Sequence, residues 1–153
     1  RGLGDVYKRQ KVRTLNSKID YTFQEFLLPA SGIITGVFGS QRILNGKPRR
    51  PHYGIDIAAK EGSKVISPTD AIVRLSEKDL YFTGGTIMLD HGHGITSVYS
   101  HLSKVLVKKN DKIQKGDVIG LIGSTGRSTG PHLDWRINWF DQRLDPMMFI
   151  KNK

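Results

Sequence analysis

Short apolar stretches rich in β-branched residues alternate with turn-forming residues along most of the chain. Such alternation is typical of strands in a sheet with one buried face. It predicts strands at 33–38, 54–58, 64–67, 71–76, 86–90, 95–100, 105–107, 118–122 and 132–138. No stretch sustains a helical hydrophobic period, so we expect only short helices, near 102–104 or at 146–150.

Turn signals separate nearly all of these predicted strands. They are Asn45-Gly46, Glu61-Gly62, Gly84-Gly85, Gly92-His93-Gly94, Lys115-Gly116 and the stretch 123–130. Many short strands with frequent turns favour an all-β fold. We therefore predict a compact antiparallel β-sandwich or barrel with short loops and little helix.

The N-terminal part of the chain differs from this β-rich pattern. Residues 1–10 resemble adaptor-derived sequence, so we interpret them as a non-native scar and leave them out of the fold prediction. The chain is then expected to be part of a longer gene product. Residues 11–31 are predicted to be an entry segment whose apolar side chains pack on the core, and residues 32–150 to form one domain.

Composition excludes several classes of protein. The 153 residues suffice for one core, and no apolar run approaches the roughly 20 residues of a membrane helix. There is no cysteine, which excludes a disulfide framework and a thiolate zinc site.

A net charge of +10 favours binding of polyanions, but the sequence has no basic helix and no basic patch interleaved with aromatic residues that would indicate nucleic acid. Anionic envelope polymers, or charge that serves only solubility, are the interpretations left open.

Histidines and aspartates form the candidate chemistry. In a strand over 54–58, residues of equal parity share a face, so His52 and Asp56 project together, and Gly54 allows a bend between them. An imidazole nitrogen and a carboxylate oxygen both bind zinc, although a surface hydrogen-bonded pair is the alternative. In the same way, His132 and Asp134 share one face of a strand.

The remaining histidines are less informative by themselves. His101 ends a strand, where a capping or core-satisfied histidine is the more usual interpretation. The stretch 90–94 is interpreted as a hairpin turn, because glycine at alternate positions permits positive φ. We therefore predict that His91 and His93 face solvent and take no part in catalysis.

In combination, the order His-x-x-x-Asp, Tyr-x-His-Leu and Gly-Pro-His-Leu resembles the lysostaphin-like (LytM-like) zinc endopeptidases over about residues 36–149. Supporting matches are Gly36-Val-Phe-Gly39, Gly54-Ile-Asp-Ile-Ala58, Pro68, Gly84-Gly85, Gly116-Asp-Val-Ile-Gly120 and Ser124-Thr-Gly126. The resemblance implies a β fold of the duplicated barrel-sandwich hybrid type and a zinc metallopeptidase domain over 32–150.

The same resemblance implies roles for individual residues. His52 and Asp56 match zinc ligands, and His101 and His132 match the catalytic histidines that do not bind the metal. The third ligand of the family is normally a histidine, and Asp134 stands in its place. Because a carboxylate also binds zinc, we predict one Zn²⁺ held by His52, Asp56 and Asp134.

The implied function is hydrolysis of peptide cross-links in bacterial peptidoglycan, by a monomer in the periplasm or outside the cell. We expect no nucleic acid partner and no membrane span in this fragment. The chain lacks a His-Glu-x-x-His motif, which excludes metalloproteases with that glutamate base. The alternative is a non-catalytic relative that binds cell wall and activates other murein hydrolases. Sugar-phosphotransferase carriers, a third possibility by fold analogy, do not need Asp56.

Two sets of residues are candidates for contact with substrate. Two interpretations stay open for the aromatic residues, which are lining of a substrate groove and ordinary packing in the core or at its rim. These residues are Tyr81, Phe82, Trp135 and Trp139. Two interpretations also stay open for the basic residues Arg42, Arg49 and Arg50, which are binding of substrate carboxylates and a place in a solvated loop.

Overall fold

The computed structural model describes residues 2–40, 43–44, 47–48 and 51–151. The helices are α1 (Gly2–Arg13) and two 3₁₀ turns, Tyr21–Phe23 and Pro146–Phe149. The strands are β1 (Ile33–Gly36), β2 (Ile43–Leu44), β3 (Lys47–Pro48), β4 (Ile55–Ala58), β5 (Lys64–Ile66), β6 (Ala71–Leu80), β7 (Gly84–Gly92), β8 (Ile95–Val105), β9 (Lys112–Ile113), β10 (Val118–Ile122), β11 (His132–Trp139) and β12 (Gln142–Leu144). The predicted turn Asn45-Gly46 and the candidate residues Arg42, Arg49 and Arg50 lie outside the described residues.

Ten of these strands belong to one antiparallel sheet. Its main path runs β1-β4-β11-β8-β7-β6-β9, while β10 joins β5 to β8 and β12 pairs with β11. Strands β2 and β3 pair with each other in a separate two-stranded sheet. The prediction of an antiparallel, sandwich- or barrel-like all-β fold is confirmed.

Alternation along β4 and β11 separates the core from the face that carries the candidate ligands. Ile57, Leu133 and Trp135 are at most 1% exposed and pack in the main core. Their neighbours Asp56 and Asp134 project to the opposite side of the same two strands, as the period of two requires. Trp135 is therefore a core residue and does not line a groove.

Three long strands replace several shorter predicted elements. β6, β7 and β8 each extend beyond the predicted ends, and β8 runs without a break through 102–104. The prediction of a helix there is wrong, because Leu102 is buried and pairs with Gly85 of β7. The separate strand at 105–107 is also wrong, since Val105 ends β8. The helical turn near the C-terminus is confirmed and is capped by the Asp145 carboxylate, which accepts a hydrogen bond from the Met147 amide.

The helix α1 lies in the segment that the fold prediction left out. The Asp5 carboxylate accepts a hydrogen bond from the Tyr81 amide at 2.8 Å, and Val12 packs with Leu75, Met88 and Val98. The origin of residues 1–10 stays a prediction, because packing says nothing about where a sequence came from. None of the helices in the described part of the chain is long and apolar enough to cross a membrane.

Candidate metal centre

Two neighbouring strands bring three candidate ligands together. Asp56 of β4 lies directly opposite Asp134 of β11 in the strand register. His52 precedes β4, and its amide donates a hydrogen bond to the Ser40 carbonyl at 2.7 Å. Each of the three side chains offers one ligand atom, and these atoms all lie within 4.8 Å of one another. The structure thus places together the three residues predicted to bind metal.

The donor atoms themselves indicate that a cation fits here. His52 Nε2 and Asp56 Oδ1 lie 3.2 Å apart, yet both are buried and neither has a hydrogen-bond partner among the described residues. Burial raises the pKa of Asp56, but the neighbouring His52, His132 and Arg136 together lower it by more. The net pKa of Asp56 therefore lies below its ordinary value. An ionised carboxylate beside an unpartnered imidazole nitrogen is a donor set that suits zinc.

Two glycines make room for the carboxylates. A Cβ on Gly36, which lies opposite Asp56 in the register, would come within 2.6 Å of Asp56 Oδ2. A Cβ on Gly54 would come within 2.9 Å of Asp134 Oδ1. The bend predicted at Gly54 is present, and its lack of a side chain also allows this close approach.

His101 lies beside the cluster in an unusual backbone conformation. Its φ is 65°, and it lies where the pairing of β7 with β8 is irregular. A non-glycine residue in this region stores strain and has to be held by its surroundings. The His101 amide donates to the Thr83 carbonyl, and its Nδ1 lies 2.7 Å from the Thr125 carbonyl. Because a carbonyl only accepts, Nδ1 carries the proton and a neutral ring keeps its lone pair on Nε2.

His132 is held in the same way. Its Nδ1 lies 2.9 Å from the Gly130 carbonyl oxygen, while its Nε2 lies 3.7 Å from Asp56 Oδ1. The rings of His101 and His132 have centroids 5.0 Å apart. Burial lowers the pKa of His101, and His132 lowers it too; the Thr125 carbonyl and Asp134 raise it, but the net pKa is lowered. His101 is therefore neutral at neutral pH and suited to accept a proton.

We call residues 124–131 the histidine-anchoring loop, because the carbonyls that hold both rings belong to it. Thr125 Oγ1 donates to the Leu102 carbonyl and accepts from the Gly85 amide, at 2.7 and 3.0 Å. The Arg127 guanidinium lies 4.8 Å from the centroid of the Phe82 ring. These contacts fix the loop to β8 and to the start of β7, and no local sequence pattern indicates them.

Arg136 is the other residue that the sequence analysis missed. Its Nε and Nη2 donate to Asp134 Oδ1 and Oδ2 at 2.9 and 3.0 Å. Residues 134 and 136 have equal parity in β11 and therefore share a face, so strand spacing could have revealed the pair. A metal at this cluster would meet an aspartate that already has a cationic partner.

The hairpin over 90–94 corrects one prediction about histidines. The turn consists of His93 and Gly94, which have φ of 54° and 83°, and His93 is partly exposed as predicted. His91 is fully buried instead, because β7 continues to Gly92 and directs the ring inwards against Phe26. Its Nε2 pairs with Ser97 Oγ at 2.7 Å, and burial lowers its pKa to about 4.

The remaining candidate aromatics lie at the surface. Tyr81 and Phe82 make an edge-to-face pair between β6 and β7, and Tyr81 is about half exposed. Trp139, at the end of β11, is also half exposed. A role for these three in a substrate groove stays a prediction.

Comparison with known proteins agrees with this geometry. The model of peptidase family M23 matches residues 50–146. The peptidoglycan DD-endopeptidase ShyA of Vibrio cholerae is 36% identical over 116 residues, which cover 75% of this chain and 27% of that protein. The chain thus spans about a quarter of the length of this curated relative.

Two solved structures are also similar. A zinc-containing peptidase from Vibrio cholerae has a TM-score of 0.74 and 32% identity, covering 81% of this chain and 40% of that one. The catalytic domain of lysostaphin from Staphylococcus simulans has a TM-score of 0.70 and 31% identity, covering 79% of this chain and 93% of that domain.

Proposed function

The chain belongs to peptidase family M23, and from that premise we propose that it is a zinc-dependent endopeptidase that hydrolyses peptide cross-links of bacterial peptidoglycan. One observation carries the proposal. Three ligand-competent side chains lie within 4.8 Å of one another, beside two imidazoles that are anchored through Nδ1. ShyA and lysostaphin, which the chain resembles, are named as a peptidoglycan endopeptidase and an antimicrobial peptidase.

His52, Asp56 and Asp134 would hold the metal. When bound, zinc supplies a Lewis acid that acidifies water and polarises a peptide carbonyl. The unpartnered His52 Nε2 and Asp56 Oδ1 are the atoms best placed to bind it. Asp134 completes a set of three protein ligands, the number that catalytic zinc sites normally have.

The two anchored histidines perform the proton transfers. His101 is neutral and accepts the proton of the attacking water at Nε2. His132, which lies nearer to the Asp56 carboxylate, assists the departing amine by donating a proton from Nε2, which it does in its doubly protonated form. The Thr125 carbonyl keeps His101 in the tautomer with a free Nε2, and the Gly130 carbonyl fixes the orientation of the His132 ring. Such assistance is typically worth about 100- to 10,000-fold in rate.

The substrate places the activity in the cell envelope, either in the periplasm or outside the cell. A cell-wall binding module without catalysis is the second candidate, and the Asp134–Arg136 ion pair favours it, because the carboxylate already has a partner. Dependence on zinc distinguishes the two candidate functions, since only the enzyme requires the metal.

The test combines metal analysis with a digest of purified peptidoglycan. Protein that has never met a chelator should contain one equivalent of zinc and release new amino termini without new reducing sugars. Removal of zinc should abolish the release, and zinc alone should restore it. Reducing sugars without amino termini, or full activity without metal, would contradict the proposal.

A further inference from the structure

Asp134 and Arg136 interact through both carboxylate oxygens. The two hydrogen bonds are 2.9 and 3.0 Å long, and Asp134 is only 7% exposed. A carboxylate has about four lone-pair positions, and this bidentate contact uses one on each oxygen. Each oxygen of Asp134 therefore retains a position for a metal while Arg136 stays bound.

The charges of the cluster show what Arg136 changes. With His52 neutral, Asp56 and Asp134 give the three candidate ligands a formal charge of −2. Arg136, which is always protonated, brings that total to −1. A set with a neutral imidazole in place of Asp134 also carries −1. The aspartate and the arginine together thus have the charge of a single neutral ligand.

We propose that Arg136 is a positioning residue that makes Asp134 act towards zinc as a charge-neutral ligand, in the manner of an imidazole. This inference rests on the proposed zinc site. Close packing supports it: a Cβ on Gly54 would come within 2.7 Å of Arg136 Cγ and 2.9 Å of Asp134 Oδ1. Gly54 thus lets Arg136 lie against the cluster instead of extending into solvent.

The fixed positive charge of Arg136 beside the cluster changes the affinity for zinc in a definite direction. It repels a divalent metal, so zinc binds less tightly than it would to the same ligands without Arg136. The same positive charge favours ionisation of water at the metal, which a second carboxylate would oppose. A residue that serves only to hold Asp134 in place would have the opposite effect on affinity, because loss of such support typically weakens metal binding about 10- to 100-fold.

Two substitutions separate charge from geometry. Arg136→Gln keeps a hydrogen-bond donor and removes the charge, whereas Arg136→Lys keeps the charge and loses the bidentate contact. Metal-free protein is titrated with zinc alone against a chromophoric chelator. We expect Arg136→Gln to bind zinc about tenfold tighter or more, and Arg136→Lys to stay within about threefold of the parent. An unchanged or weaker affinity of Arg136→Gln overturns the inference.

A second background keeps the test decisive if Arg136→Gln fails to fold without metal. In Asp134→His protein, Arg136→Gln no longer deprives a carboxylate at position 134 of its partner, and this substitution should again tighten zinc binding. An unchanged affinity in that background overturns charge compensation.

The inference and the proposed function fail in different ways. Tighter zinc binding by Arg136→Gln, in a parent that releases no amino termini from peptidoglycan, supports the inference and overturns the function. An active zinc enzyme whose affinity does not change with Arg136→Gln overturns the inference alone. A parent that binds no zinc overturns both.

Discussion

The strands that carry the candidate ligands have regular geometry, whereas the loop that anchors the two histidines holds a residue whose backbone is irregular. On β4 and β11 the register is regular, and it places Asp56 directly opposite Asp134. At His101 the backbone leaves the regular strand region, with φ of 65°, and a loop carbonyl holds the ring. In the proposed enzyme, metal binding would thus depend on the sheet, whereas proton transfer would depend on the position of a loop. Substitutions should therefore be able to remove one property without the other.

The largest effect is expected on the strand side, at Asp134. Asp134→Ala leaves two protein ligands, which rarely hold zinc against water, so zinc content and activity should both fall close to zero. Arg136 would lose its partner, but its side chain is 33% exposed and stays accessible to water. Elemental analysis and the peptidoglycan digest provide the measurement.

Asp134→Asn is the matched control for size. Its neutral amide is a poorer donor to zinc, so affinity should fall sharply while the fold stays intact. Full zinc and full activity in Asp134→Ala would show that Asp134 is no ligand.

The next effect is expected at the two anchored histidines. His101→Ala and His132→Ala should keep one equivalent of zinc and lose about 100- to 10,000-fold of activity, the range of acid–base assistance. Zinc titration and initial rates, measured on the same preparations, separate the two properties. A loss of metal in either variant would contradict the division between ligands and catalytic histidines.

A smaller effect is expected one step further out, at Thr125. Thr125→Val keeps the shape but removes the hydroxyl that bonds to Leu102 and Gly85, so the carbonyl that holds His101 should shift. Misplacement of a catalytic group by about 1 Å can lower the rate about 100-fold, so we expect a loss of about 10- to 100-fold with zinc retained. Thr125→Ser restores the hydroxyl and should recover most of the rate. An unchanged rate in Thr125→Val would mean that the loop does not depend on this contact.

The regular part of this architecture was predictable from the sequence. Parity alone puts His132 and Asp134 on one face of a strand and Leu133 on the other. Alternation around Ile55 and Ile57 likewise places β4 and the outward direction of Asp56. These predictions work because a strand has one simple period, whatever it packs against.

The irregular part was not predictable from local sequence. Nothing in Tyr99-Ser-His101-Leu102 specifies a positive φ at His101, which depends on contacts with Thr83 and Thr125. The extent of β7 was also underestimated, and with it the burial of His91. Both errors concern contacts between residues distant in the chain, which no local pattern records.

His91 extends the comparison to a histidine at a regular strand position, with no candidate metal partner among the residues that the structure describes. Its folded pKa is lowered from 6.5 to about 4 by burial, so the folded protein keeps it neutral while the unfolded chain takes up the proton. Between those two values the unfolded state binds more protons, and stability therefore falls as the pH falls from 6.5 to about 4. His91 accounts for a decrease of about 3 kcal/mol in the free energy of unfolding, and this decrease levels off below the folded pKa. Asp56, whose pKa is also lowered, makes the protein acid-sensitive as well, so a variant is needed to isolate the contribution of His91.

His91→Gln removes the titrating group. Urea unfolding of metal-free protein at pH 6.5 and at about pH 4 should show a smaller acid-induced loss of stability than in the parent. Equal losses in the two proteins would show that His91 does not titrate as its burial requires. Zinc content and activity at neutral pH should change little in either case, because the residue lies outside the candidate metal cluster.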